Sequence, residues 1–209
     1  MLTLVRHGET QNNREGRLQG RTDIALTDVG RAQATAVARM IGASVHPEGG
    51  VVRIMSSPLR RAYETASIIA NTLQREVEID DRLIEIDYGI WEGRVFQEVL
   101  RDEDPLWRTD PTFAPPGGES VEQVVERVAD FVREILPEDA PSEQLVIAVS
   151  HVSPIKAAVT YALSIDPMRS WQMHLDLASI TRLGRRRNAL VLQTFNETLH
   201  LDAEVSSRR

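Results

Sequence analysis

A small set of side chains in this sequence has the types needed to act on a negatively charged group: Arg6, His7, one of the adjacent pair Arg60 and Arg61, Glu85 and His151, with Asn13 nearby. Several cations, one acid and no set of metal ligands suit an anionic substrate. Phosphoryl transfer passes through a loose transition state whose charge sits on the equatorial oxygens, so fixed arginines and a protonated histidine match it. A second, neutral imidazole is then free to attack phosphorus, and a phosphohistidine splits one difficult displacement into two. A carboxylic acid must protonate the leaving alkoxide and afterwards, as carboxylate, activate water.

These residues meet only if the chain delivers them to one place. Met1 to Val5 is an apolar strand ending in Arg6 and His7, and Leu145 to Ser150 is a second that ends in His151. Lying side by side and parallel, the two would present both histidines at the carboxyl edge of a sheet, where open α/β folds form their crevices. Residues 11 to 27 read as a polar loop beside His7 that carries Asn13 and offers Gln19 as a candidate substrate contact. Thr27 caps a helix expected to stop at Gly42. A loop with His46, Pro47, Gly49 and Gly50 leads to a strand over Val51 to Met55. Ser56-Ser57-Pro58 is expected to start the next helix, which leaves Arg60 and Arg61 on opposite flanks of its buried stripe. Periodicity does not choose between the two, although Arg60 has an ion-pair partner at i+4 in Glu64.

A short strand over Val77 to Ile79 and an acidic turn at Asp80-Asp81 lead to Glu85. The segment of about 88–118, holding Tyr88, Trp91, Phe96, Trp107 and Phe113, reads as a partly helical lid over the crevice, with Trp91 and Trp107 as the aromatic faces that select the substrate. Ser120 caps an amphipathic helix that ends before Pro137, and the loop from Pro137 to Gln144 feeds the strand ending in His151. Ser153-Pro154 starts a further helix, with Lys156, the only lysine, on its exposed side. Trp171 and His174 read as packed or solvated. Leu175 to Leu183 and Ala189 to Phe195 form a closing hairpin with Arg185-Arg186-Arg187 as a solvated tip, and about 202–209 is a polar tail. The expected fold class is therefore three-layer α/β/α, a mostly parallel central sheet with helices on both faces, as one domain over 1–209.

The net charge is -7, from 24 basic and 31 acidic residues, which argues against a nucleic-acid partner. No apolar run approaches the roughly 20 residues of a membrane span. Zero cysteines rule out disulfides and thiolate chemistry. With Met1 already in the buried strand, no leader sequence is expected, and the cytoplasm is the expected location.

Leu4-Val5-Arg6-His7-Gly8-Glu9-Thr10, Ser56-Ser57-Pro58-Leu59-Arg60-Arg61-Ala62, Glu85 with Gly89-x-Trp91-Glu92-Gly93, Pro116-Gly117-Gly118-Glu119-Ser120 and Val149-Ser150-His151 together resemble the histidine phosphatase (phosphoglycerate mutase-like) superfamily. The resemblance spans nearly the whole chain in the expected order. It implies that His7 is the nucleophile, Glu85 the general acid and base, Arg6, Arg61 and His151 the phosphate clamp, and Asn13 a further phosphate contact. It selects Arg61 over Arg60 because the family's arginine directly precedes alanine. It implies a phosphomonoesterase for a small phosphorylated metabolite, with no cofactor and no metal. One departure is Val152, where the family has glycine. The stretches around His151 to Lys156 and Phe195 to Leu201 resemble a bacterial acid phosphatase branch that includes α-ribazole phosphatase-like proteins. Two alternatives stand beside this reading. A phosphoglycerate mutase would have a motif near E-R-H-Y-G at the acid, where this chain has Glu85-Ile86-Asp87-Tyr88-Gly89. A non-catalytic phospholigand-binding module would have lost the nucleophile or acid, and His7 and Glu85 are both present. Oligomeric state is not encoded in any recognisable pattern.

Overall fold

The computed structural model describes residues 1–44, 52–103, 105–138, 144–187 and 189–201. The loop with His46, Val51, Asp104, residues 139–143 and the tail from Asp202 lie outside the described residues. Six strands form one sheet: β1 (Leu2–Arg6), β2 (Val52–Ser56), β3 (Val77–Ile79), β4 (Leu145–Ser150), β5 (Ile180–Arg186) and β6 (Ala189–Glu197). Their order is β3-β2-β4-β1-β5-β6. The first four are mutually parallel, β5 pairs antiparallel with β1, and β6 pairs antiparallel with β5. β1 and β4 are direct neighbours with Arg6 opposite Ser150, so the expected side-by-side arrangement is present.

Strand alternation decides which layer each side chain joins. Leu2, Leu4, Met55, Val146 and Ala148 pack against α5 (Val121–Ile135) and α6 (Val152–Leu163). Val5, Ile54, Ile147 and Val149 face the other way, onto α2 (Asp28–Ser44) and α3 (Arg60–Leu73). Each fully buried aliphatic side chain contributes about 1.5–3 kcal/mol. The two central strands, buried on both faces, are therefore the stiffest support the fold can give the residues at their ends. The two remaining helices are short, α1 (Gln11–Arg14) and α4 (Phe96–Asp102). Among the described residues no helix is long and apolar enough to cross a membrane.

Local structure differs from expectation in several places: α1 lies within the stretch read as a loop, α6 begins at Val152, and β5 runs to Arg186, so Arg185 belongs to a strand, donates to Leu136 O (3.1 Å) and is not part of a solvated tip. α2 continues to Ser44 past Gly42, because the cost of one interior glycine, about 1 kcal/mol, is smaller than the gain from packing on α3. α3 starts at Arg60, since Leu59 is extended (ψ 133°) and makes no side-chain cap. β5 starts only at Ile180. The preceding turn bonds to the end of β1 instead: Arg6 N–H donates to Ser179 O (3.1 Å) and Ala178 N–H to His7 O (3.2 Å).

Candidate active site

His7 leaves the end of β1 and is 2% exposed. Its amide donates to Ser150 O (3.0 Å), which locks it to the end of β4. The ring Nδ1 lies 2.7 Å from Gly8 O. A carbonyl only accepts, so Nδ1 carries the proton and Nε2 the lone pair. Among the described residues Nε2 makes no hydrogen bond. Gly8 is required here by close approach, because a Cβ would lie 2.3 Å from the Gly30 carbonyl oxygen at the start of α2. Arg6 is anchored by donation from one Nη to Leu175 O (2.5 Å), while its buried Nε–H has no partner among the described residues.

His151 stands opposite, with its ring centroid 5.0 Å from that of His7. Arg61 Nε donates to His151 Nδ1 (3.2 Å), so Nε2–H donates to Ser57 Oγ (2.8 Å). The imidazole is thus neutral in this arrangement, whereas the charge of a phosphoryl transition state calls for a protonated ring. The phosphoryl dianion is the counter-charge that would permit protonation. Arg61 is 0% exposed, and its other donors reach Thr22 O (2.8 Å) and Gly20 O (2.7 Å). Arg60 instead forms the surface pair with Glu64 (2.8 Å). Geometry therefore turns Arg61, and not Arg60, toward His151. The 20–22 loop is in turn held by Glu92, which accepts from the Arg21 and Thr22 amides (2.7 and 3.0 Å). Gly20 has a positive φ of 52°, and a Cβ on it would meet Glu92 Oε1 at 2.0 Å. Sequence reasoning places Ser57 and Glu92 in motifs but misses what they hold: Ser57 lies in the run expected to start a helix, and nothing local ties Glu92 to a loop 70 residues away.

Glu85, 6% exposed, follows the turn after β3. Its Oε1 accepts from the amides of Ile86 (2.9 Å) and Ser153 (3.2 Å), the latter in the first turn of α6. Asn13 and Gln19 converge on Thr10: Asn13 Oδ1 accepts from the Thr10 amide (3.1 Å), and Gln19 Oε1 from its hydroxyl (2.8 Å). Both amide oxygens are so engaged, which leaves their NH₂ groups as the available donors. Val152 is the first residue of α6 and lines a cavity of about 130 Å³ together with Tyr88 and Ser153. Among the described residues no group of three or more His, Asp or Glu side chains is spaced to hold a metal ion.

The aromatic segment packs largely on itself. Trp91 (1% exposed) and Trp107 (4%) form a cluster with Leu18 and Val99, joined by Phe96, Phe113 and Trp171. Trp107 meets Trp91 at 5.0 Å and Trp171 at 4.9 Å between ring centroids. Trp107, Phe96 and Trp171 reach the cavity wall, whereas Trp91 and Phe113 do not. Trp91 is thus a packing residue behind the wall, because its indole is consumed by the cluster. His174 is exposed and paired with Asp176 (2.9 Å). Lys156 is not exposed as expected: the side of α6 it occupies turns under the aromatic cluster, and it is half-buried in the cavity wall.

Burial, then the charges of Arg61 and Arg6, hold the His7 pKa well below the ordinary value. Burial and Arg61, followed by His7 and Arg6, do the same to His151. Burial lowers Arg6 to about 10 despite nearby Glu85. The consequence for stability has a definite sign. Below pH ~6.5 the unfolded chain protonates histidines that the folded chain keeps neutral. Their contribution is complete above that value and is lost as pH falls toward the folded pKa values. The unfolding free energy should drop by up to about 1.4 kcal/mol per pH unit for each histidine below pH ~6.5. Urea titrations at descending pH check this, and a His7→Gln/His151→Gln variant with an unaltered slope would assign acid sensitivity to other groups.

A mostly parallel sheet that ends two adjacent strands in facing histidines, backed by buried arginines and a glutamate, defines an α/β protein built to hold and transfer an oxyanion group. Residues 2–198 match the histidine phosphatase superfamily, branch 1, and the chain belongs to that family. It is 38% identical over 183 residues to a bifunctional protein of Mycobacterium tuberculosis, covering 86% of this chain but only 49% of that one. The chain therefore spans about half the length of that relative. It is 36% identical over 206 residues to phosphoserine phosphatase 1 of Hydrogenobacter thermophilus, covering 96% of this chain and 93% of that protein. A variant of Entamoeba histolytica phosphoserine phosphatase, solved in complex with phosphoserine, superposes with a TM-score of 0.84 at 32% identity over 96% of this chain and 98% of that one.

Proposed function

We propose that the protein is a metal-independent, cofactor-free phosphomonoesterase that hydrolyses a small phosphorylated metabolite in the cytoplasm through a phosphohistidine on His7. The observation that carries this reading is the state of His7: neutral, with Nδ1–H spent on Gly8 O and the Nε2 lone pair uncommitted beside His151. Nε2 attacks phosphorus while Arg6, Arg61 and His151 neutralise the oxygens, with Asn13 and Gln19 donating through their amides. Glu85, as the acid, gives its proton to the departing alkoxide. As carboxylate it then takes a proton from water, which attacks the phosphohistidine, releases phosphate and restores neutral His7. A mutase motif would carry basic residues directly after the acid, where this chain has Ile86 and Asp87. Ile86 is buried and Asp87 accepts from the Gly89 amide (2.8 Å), so neither supplies a basic group.

The test is a panel of phosphomonoesters assayed in EDTA, with phosphoserine first because two relatives carry its name. Sugar phosphates, phosphoglycerates and p-nitrophenyl phosphate complete the panel. Sustained phosphate release in chelator is expected. Activity that vanishes in EDTA and returns with a divalent cation, or no hydrolysis of any member, would discard the proposal.

A further inference from the structure

The cavity lined by Ile86 and Ser153, the two residues whose amides hold Glu85, has one cation in its wall. Val152, Ser153 and Lys156 line it from α6, and Tyr88, Trp107 and Trp171 line it from other segments, so the space is apolar apart from the lysine tip and a few hydroxyls. Lys156 is the only lysine of the chain. It is half-buried and makes no hydrogen bond or ion pair with the described residues. Burial pulls its ammonium down to about 8, with repulsion from Arg6 adding to the effect and Glu85 opposing it. A cation in an apolar wall costs free energy unless a counter-charge meets it. The acid that protonates the leaving group must adjoin that group. The alcohol half of a substrate therefore lies on the Glu85 side, which is the side of this cavity. The Ser153 amide touches Glu85 Oε1 at 3.2 Å. Lys156 follows three residues later, a rise of about 4.5 Å along the helix.

We infer that Lys156 is a specificity-determining residue that pairs with a second anionic group on the alcohol half of the substrate, so that the preferred substrates are phosphomonoesters of largely apolar alcohols bearing an acid. The inference rests on the phosphatase reading above. It sets the protein apart from a phosphatase for zwitterionic amino-acid phosphates, because a substrate ammonium would oppose the lysine.

A matched series tests it: benzyl phosphate and its analogues with a 4-carboxylate, a 4-phosphonooxymethyl or a 4-aminomethyl group, assayed beside p-nitrophenyl phosphate. Wild type should show kcat/KM roughly tenfold or more higher for an acid-bearing member than for benzyl phosphate, and lower for the ammonium-bearing one. The more favoured of carboxylate and second phosphate identifies the acid. Lys156→Met should collapse the ratio, and Lys156→Arg should restore most of it. A ratio equal in wild type and Lys156→Met, or a preference for the ammonium, overturns the inference. So does hydrolysis of p-nitrophenyl phosphate with none of the series. Failure on p-nitrophenyl phosphate and the whole series would strike the phosphatase reading itself. A second measurement needs no variant. Reductive ¹³C-methylation labels only Lys156 and the chain's amino terminus. The Lys156 resonance should titrate at higher pH with 4-carboxybenzylphosphonate than with benzylphosphonate, and equal midpoints would count against the pairing.

Discussion

Replacing His7 by alanine should lower kcat on every phosphomonoester by roughly 10⁴–10⁶-fold, the scale seen when a nucleophile is removed and its supporting groups remain. The same change should abolish an acid-labile phosphoenzyme trapped by rapid quenching in base. Both effects follow from one atom, the Nε2 that is kept unprotonated by burial and by two arginines. KM should change far less, because Arg6, Arg61 and His151 are anchored independently by Leu175, by Gly20 and Thr22, and by Ser57. Single-turnover labelling with ³²P-substrate in both proteins is the decisive measurement. Wild-type labelling in His7→Ala would transfer the nucleophile to His151, the other imidazole in the site.

Glu85→Gln should discriminate between leaving groups. An alkyl alkoxide needs a proton as it departs, whereas p-nitrophenolate scarcely does, so kcat should fall roughly 10²–10⁴-fold on alkyl phosphates and much less on p-nitrophenyl phosphate. Glutamine keeps an acceptor oxygen for the Ile86 and Ser153 amides, which separates proton transfer from the packing of this turn. Equal slowing on both substrates would mean that another group is the acid. Asp87 is the nearest alternative in sequence, while Glu92 is occupied with the 20–22 loop.

Much of this architecture is legible in residue types and their spacing. The two apolar runs ending in histidine are central neighbours because each is buried on both faces, and continuous apolar strands have nowhere else to go. The capping serine and its glutamine at N3 mark the start of α5, a local signal that tertiary context had no reason to override. The serine before α3 does more than its local position indicates, since the hydroxyl of Ser57 accepts from the Leu59 amide (3.3 Å) and also from the imidazole of a residue 94 positions away. Residue type and spacing give Trp91 and Trp107 the same expected role as substrate-facing aromatics. Only their packing separates a residue in the cavity wall from one behind it.

By itself the sequence determined what depends on residue type and short spacing: the strand-borne Arg6-His7 and His151, the available acid, the absence of cysteine and the layered α/β class. What only the tertiary structure decided depends on contacts between distant segments. The 20–22 carbonyls draw Arg61 inward and leave Arg60 to Glu64, a choice that helical periodicity leaves open because both arginines flank the same stripe. Whereas the tautomer of His7 is set by its neighbour Gly8 O, that of His151 is set by Arg61 and Ser57, partners that appear only when β4 meets the junction of β2 and α3. Lys156 belongs to the same class. A lone lysine on an amphipathic helix reads as solvated by composition, and it becomes a half-buried cation because the aromatic cluster of another segment covers that side of α6.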